Sequence, residues 1–252
     1  MIEISGLTKK YGQDKTALDN ISFIIKPGVI CGYIGTNGAG KTTTIKILTG
    51  MLDFDSGNVK VAGINVKENP LEVKRITGYV PESGNAFNSL TTKEYLAFTG
   101  KIRNLPDDVI KSRTDYFADF FDYAGFLNSS IGNLSKGTKQ KILITSALIH
   151  NPEIILLDEP LNGLDANTIF VFQDMIKSLA ENGKTIFYCS HLLDMIEKIS
   201  TKLIILESGK IKLDSDTVEL KNSENYRGLE NLFRNIKSEK EYKKFRYEDI
   251  FA

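Results

Sequence analysis

The sequence has no surplus of either charge. Its 252 residues carry 32 Lys+Arg against 32 Asp+Glu, a formal net charge of zero. A general nucleic-acid binder draws its affinity from a basic excess, so that class is set aside and no nucleic-acid partner is expected. Cysteine is scarce. Cys31 and Cys189 lie far apart in apolar runs (VICGYI and TIFYCS), which predicts two buried reduced thiols and no cysteine metal site. Long apolar runs are missing too. Residues 154–157 form one of the longest, far below the ~20 that a spanning helix needs. The opening MIEISGLTKK has no apolar signal region, and no repeat or low-complexity tract follows. The expectation is a soluble, cytoplasmic protein. Hydrophobic residues at 41% and charged residues at 25% leave ample material for a core.

Turn chemistry and apolar patterning place the elements. Residues 2–4, 21–25 and 29–34 read as short strands separated by Tyr11-Gly12 and Pro27-Gly28. Residues 42–49 read as a helix stopped by Gly50, and 57–66 as a hairpin turning near Ala62-Gly63. The middle of the chain is helical. Thr91 and Glu94 form a T-x-x-E capping box. A second helix opens near Pro106, carries Val109, Ile110, Phe117, Phe120, Phe121 and Ala124 as a packing face, and ends at Gly125. Runs 154–157, 185–189 and 203–206 are continuous apolar strands of the kind covered on both faces, with helices expected near 166–180 and 191–199. That alternation predicts a parallel α/β sheet. From Asp214 to Ala252 the chain is charged and mixed in sign, and reads as an appended, partly helical tail.

Two motifs carry chemistry. Gly35-Thr36-Asn37-Gly38-Ala39-Gly40-Lys41-Thr42 is a G-x-x-x-x-G-K-[ST] loop between an apolar strand and a helix, with Thr43 following. Its glycines let backbone N–H groups turn inward around phosphate oxygens, and the helix N-terminus adds positive partial charge. Lys41 suits the β- and γ-phosphates, and the Thr42 hydroxyl suits Mg²⁺. The second motif is Ile154-Ile155-Leu156-Leu157-Asp158-Glu159-Pro160, with two carboxylates at a strand's C-terminal end, where open α/β sheets place ligands. Asp158 suits Mg²⁺, and Glu159 suits the base that orients the attacking water. An Asp-Glu pair after an apolar run is common by itself; beside the phosphate loop it gains meaning.

Between the two lies Leu134-Ser135-Lys136-Gly137-Thr138-Lys139-Gln140, which resembles the LSGGQ signature of ATP-binding cassettes, with Lys136 in place of a glycine and Thr138 in place of the glutamine. Ser-Lys-Gly-x-Lys-Gln is similar to the variant of cassettes that serve export-type membrane subunits. Pro160-Leu161-Asn162-Gly163-Leu164-Asp165 resembles the D-loop. His191 resembles the switch histidine that contacts the γ-phosphate, Tyr11 the aromatic that stacks on adenine, and Glu82 stands where the Q-loop glutamine is usual. A carboxylate there can still reach Mg²⁺ through a water.

The resemblance spans about residues 1–214. It implies an α/β P-loop NTPase with a mixed β-sheet core, an N-terminal antiparallel β subdomain and a helical subdomain inserted at about 83–150. Residues 215–252 would be the C-terminal tail, with 229–233 resembling the usual ending and 234–252 extra. It implies ATP and Mg²⁺ as cofactors and Glu159 and His191 as catalytic residues. ATP would be held by Tyr11 and residues 35–43, and the metal by Thr42, Glu82 and Asp158. The partners implied are a second cassette, presenting Ser135, Lys136, Gly137 and Thr138 in trans, and an integral membrane permease that meets the surface from Glu82 to Leu90, with Phe87 as apolar contact. The chain would then sit on the inner face of the membrane. The alternative is a soluble ATPase of the same family, such as an iron–sulfur assembly ATPase. Translation-factor cassettes come two to a chain, and DNA-repair cassettes need long arms between the motifs; neither suits this sequence.

Overall fold

The computed structural model describes residues 1–12, 15–82, 87–224 and 226–236. Two sheets organise it. The first is antiparallel, with order β2-β1-β4-β5, built from β1 (Ile2–Tyr11), β2 (Lys15–Ile25), β4 (Ser56–Val61) and β5 (Ile64–Asn65). β1 and β2 run well beyond the short apolar stretches that sequence alone reveals. Their outer halves are mostly polar apart from the buried Leu7, Ala17 and Leu18, and the pairing continues through register shifts between residues 4 and 7, 7 and 9, and 9 and 10 to reach Tyr11 opposite Lys15. Period-two burial holds where the sheet meets the core: Ile21, Phe23 and Ile25 are buried while Ile24 is exposed.

The second sheet has order β10-β9-β3-β8-β7-β6. It comprises β3 (Ile30–Gly35), β6 (Thr77–Val80), β7 (Ile154–Asp158), β8 (Thr185–Cys189), β9 (Lys202–Glu207) and β10 (Lys210–Asp216). All pairings are parallel except β9 with β10, so the sheet is mixed, as expected. Successive residues of its apolar strands point to opposite faces, and both faces are covered. Ile155, Leu157, Ile186, Tyr188, Leu203 and Ile205 enter one core. Ile154, Leu156, Phe187, Cys189 and Leu206 enter the other, together with the inner face of the antiparallel sheet. Phe23, Tyr33 and Phe187 join the two sheets, with ring centroids 4.7–6.2 Å apart. Both cysteines are free and buried, and burial pushes each thiol up.

Helix α1 (Lys41–Leu48) follows β3, and α2 (Pro70–Ile76) leads into β6. The connection from β6 to β7 carries α3 (Thr92–Ile102), α4 (Asp107–Phe120) and α5 (Lys136–Leu148). The Thr91–Glu94 capping box is formed on both sides. α4 ends at Phe120, short of the expected Gly125. Asp122 adopts φ 54, its N–H bonds the Asp119 carbonyl and the Tyr123 N–H bonds the Ala118 carbonyl, a C-terminal lock that normally uses glycine. Phe121 is buried, and Phe117 and Phe120 pack against the core. α6 (Ala166–Glu181) and α7 (Leu193–Ile199) cover the sheet.

Beyond β10 come α8 (Thr217–Lys221) and α9 (Leu229–Ile236). Position 214, where the sequence turns polar, lies inside β10. Leu229 is fully buried, and the Glu197 carboxylate of α7 accepts from the Tyr226 hydroxyl at 2.7 Å and the Leu229 N–H at 3.2 Å. The segment through Ile236 is thus docked on α7. Residues 237–252 of the expected tail lie outside the described residues, as do 83–86 of the expected permease surface. Among the described residues no helix is long and apolar enough to cross a membrane.

Candidate functional site

The site begins where β3 ends. The chain turns through Gly38 (φ 80) and Gly40 (φ 115) into α1. A Cβ on Gly40 would stand 2.5 Å from the Ala17 carbonyl oxygen, so only glycine allows the loop to lie against β2. The helix it opens has no side-chain cap and no acidic residue in its first turn. Three later helices differ: α3 is capped by Thr91, α5 by Ser135 and α6 by Asp165, while α2, α4, α7 and α8 also lack a side-chain cap. The first amides of α1 face the cleft from a glycine-rich turn, where an anion fits as their acceptor. The Lys41 ammonium stands ready beside them, donating to the carbonyls of Gly35 at 2.7 Å and Thr36 at 3.2 Å.

β7 runs beside β8 and delivers Asp158 and Glu159 to the same edge of the sheet. The Thr42 hydroxyl donates to Asp158 at 3.4 Å. Burial first, and then the charges of Glu82 and Glu159, push the Asp158 carboxyl up to about 6, against the pull of Thr42 and Lys41. Glu159 is 8% exposed and sits at φ 49, a left-handed conformation uncommon for glutamate, with its N–H bonded to the Cys189 carbonyl at 2.9 Å. Its two oxygens meet different groups. The Ser190 hydroxyl donates to Oε2 at 2.9 Å, and Nδ1 of His191 lies 2.9 Å from Oε1.

A cleft of about 620 Å³ unites these groups. Tyr11, Lys15, Ala17, Asn37 and Gly38 line one side, continuing to Lys41, Thr42 and Thr43; Glu82, Asp158, Glu159 and His191 line the other. Tyr11 stands at the end of β1, 43% exposed, its hydroxyl 3.4 Å from that of Thr43. Such a cleft gathers a flat ring, amides and an ammonium, and carboxylates around one space. It can hold a polyphosphate with an aromatic base and set a carboxylate against a water. The hard oxygens of Thr42 and Asp158 suit Mg²⁺. Among the described residues no cluster of three or more His, Cys, Asp or Glu could hold a metal unaided. A second cleft of about 630 Å³, lined by Tyr116, Phe117, Phe120, Val171 and Met175, is apolar, and its Arg113 is spent on the Ile149 carbonyl at 2.6 Å. It has nothing that grips phosphate.

The remaining sequence-selected residues lie elsewhere. Ser135, Lys136, Gly137, Thr138 and Asp165 do not line the nucleotide-sized cleft. Ser135 accepts from the Thr138 N–H at 3.1 Å, and its hydroxyl meets that of Thr138 at 2.8 Å. A Cβ on Gly137 would fall 2.6 Å from the Gly163 carbonyl oxygen, so the signature helix presses directly on the loop after Glu159. Asp165 caps α6 through Thr168, and those hydrogen bonds hold its carboxyl at about 2. Lys15, Ala17 and Ser190 carry no mark of the site in the sequence. Lys15 and Ala17 enter only because β2 pairs with β1, and Ser190 reads as the end of a strand.

Known proteins resemble the whole of this arrangement. The family described as ABC transporter matches residues 18–162, more than half of the chain. The ABC transporter ATP-binding protein NatA of Bacillus subtilis is 32% identical over 246 residues, covering 95% of this chain and 94% of its own. A solved ATP-binding subunit of an ABC transporter superposes with a TM-score of 0.87 at 25% identity, covering 94% of this chain and 99% of that one. A dimeric bacterial ABC transporter cassette gives 0.80 at 25% identity, covering 86% and 99%. These relatives are transporter subunits, so the soluble alternative is not favoured. With an uncapped helix start facing a carboxylate pair across one cleft, and these likenesses over nearly the full chain, the protein belongs to the ABC transporter family, as one of its ATP-binding and ATP-hydrolysing subunits.

Proposed function

We propose that this subunit binds Mg-ATP in the cleft between Tyr11 and His191, pairs with a second cassette, and drives export through a separate membrane permease. The observation that carries the reading is the meeting of an uncapped α1, Lys41, Thr42, Asp158, Glu159 and His191 around one cleft. The amides of residues 38–43 and the Lys41 ammonium hold the phosphates. Tyr11 stacks on the adenine ring. Thr42 and Asp158 hold Mg²⁺, with Glu82 reaching it through water; when bound, the ion neutralises phosphate charge. Glu159 orients and polarises the attacking water, and His191 contacts the γ-phosphate.

The separation of Ser135–Thr138 from the chain's own cleft supports their use in trans, on the nucleotide of a partner cassette. A solved relative that is a dimeric cassette supports pairing with a second cassette. Export rests on the Ser-Lys-Gly-x-Lys-Gln spelling of the signature. The permease contact is supported by Phe87, 57% exposed and packed edge-on against Phe98 at 5.6 Å. Through that contact the chain sits on the inner face of the membrane.

Glu159→Gln tests the reading. It keeps ATP binding, lowers turnover by about a hundredfold or more, and lets an ATP-bound dimer accumulate, visible by light scattering. Turnover near the wild-type rate rejects Glu159 as the base.

A further inference from the structure

We infer that Ser190 is a positioning residue for catalysis: it fixes which oxygen of Glu159 faces the attacking water. The inference rests on the reading of Glu159 as the base, and goes beyond it by assigning work to a residue that neither motif contains. Ser190 is the first residue past β8 and is 1% exposed. Its oxygen accepts the Leu192 N–H at 3.1 Å. That bond sets the rotamer and leaves the hydroxyl hydrogen for Glu159 Oε2, 2.9 Å away.

The two oxygens of Glu159 are therefore not equivalent. Oε2 is turned into the protein and held by a buried hydroxyl. Oε1 meets the imidazole of His191, whose side chain is 64% exposed. Among the described residues Ser190 and His191 are the side chains that hydrogen-bond this carboxylate. An imidazole so open to the cleft is free to turn toward a nucleotide, whereas Ser190 is locked by backbone. Once His191 turns away, Ser190 is, among the described residues, the one side chain still hydrogen-bonded to this carboxylate, with the Tyr188 hydroxyl nearby. The positive φ of Glu159 and its N–H bond to Cys189 fix the backbone but not the last side-chain torsion. Ser190 supplies that final constraint. It also ties the carboxylate to the backbone at the start of α7 through Leu192.

A loose general base costs rate without costing substrate affinity, and misplacement by about 1 Å is worth roughly a hundredfold. The test compares S190A, S190T, S190C and E159Q in the full-length chain, by steady-state Mg-ATP hydrolysis, fluorescent-ATP binding and thermal melting. S190A is expected to lower kcat by roughly ten- to a hundredfold, with KM and nucleotide affinity within about twofold of wild type. S190T, which keeps the hydroxyl, is expected to restore kcat to within about threefold. S190C retains volume but gives up the strong donor, and falls with S190A; it decides the matter if S190A fails to melt cooperatively. Wild-type kcat in S190A, or equal kcat in S190C and S190T, overturns the positioning role while an inactive E159Q keeps Glu159 as base. An active E159Q overturns that earlier reading instead.

Discussion

The side-chain amide of Gln140, buried on α5, donates to the carbonyl oxygen of Pro160 at 2.9 Å. One hydrogen bond thus fastens the helix that begins at the signature to the loop that begins at Glu159. Gly137, pressed against Gly163, and Lys141, 3.7 Å from Asp165, lie along the same seam.

Gln140→Leu keeps most of the packing volume but leaves the Pro160 carbonyl without its donor. An unsatisfied buried acceptor costs about 1–3 kcal/mol, and a chain of this size loses roughly 2–4 °C per kcal/mol. The expected outcome is a melting temperature lower by about 2–10 °C, with ATPase activity reduced although Gln140 does not line the cleft. A thermal melt of the variant at the wild-type temperature would show that the bond adds nothing to stability.

Most of the chemistry is legible in the sequence because it is local. The phosphate loop is one run of eight residues, 35–42, and its glycines announce a backbone conformation that the flanking strand and helix do not need. Asp158 and Glu159 are readable because a buried strand delivers them together. Contacts made across the fold are not legible. Ser190 reaches Glu159 across 31 residues and Gln140 reaches Pro160 across 20; a serine after an apolar strand and a glutamine inside a helix carry no local mark of either bond. The outer halves of β1 and β2 stay hidden because their apolar residues, Leu7, Ala17 and Leu18, are too few and too scattered among polar ones to make an alternating pattern, and cross-strand pairing holds the rest. The early stop of α4 stays hidden because Asp122 does the work expected of Gly125.

His150 offers a pH test that avoids the nucleotide site. It sits two residues after α5, its Nε2 3.2 Å from the Thr77 carbonyl and its Nδ1 without a hydrogen-bond partner among the described residues. Burial first, then the positive charge of Arg103, with Arg113 and Lys184 adding to it, lowers the imidazole from 6.5 to about 4. The folded protein therefore resists a proton that the unfolded chain accepts. This contribution to stability is complete above about pH 6.5 and is lost as pH falls through about 4. With solvent screening allowed for, the loss is on the order of 1–2 kcal/mol. His150→Gln retains a donor for Thr77 and cannot charge. Denaturant midpoints for the two proteins are expected to diverge between pH 6.5 and 4, the wild type falling further. Parallel curves would mean that the imidazole charges as readily folded as unfolded.

Glu82, placed by the sequence resemblance at the Q-loop position where a glutamine is usual, lines the cleft. Its carboxylate lines the same wall as Asp158 and Glu159, and its charge is the second cause, after burial, of the raised Asp158 carboxyl. Three carboxylates on one wall repel one another and repel a triphosphate; a divalent cation relieves both strains at once. Glutamine at this position would offer a neutral carbonyl and an amide donor in place of acceptors and a charge. Glu82→Gln should therefore bind free ATP more tightly in the absence of metal, because one repulsive charge is gone. It should need more Mg²⁺ for half-maximal hydrolysis, by roughly three- to tenfold, a shift of about 0.7–1.4 kcal/mol. Glu82→Ala removes the oxygen ligand as well and should shift further, with hydrolysis less responsive to the permease. ATPase rate titrated against Mg²⁺ for the three proteins, with the membrane subunit present, reads the metal requirement, and calorimetric ATP binding in a chelator reads the metal-free affinity. Three superimposable curves would place Glu82 outside the working site; a raised metal requirement together with a raised metal-free ATP affinity in Glu82→Gln would identify it as the charge that makes this cleft depend on its cation.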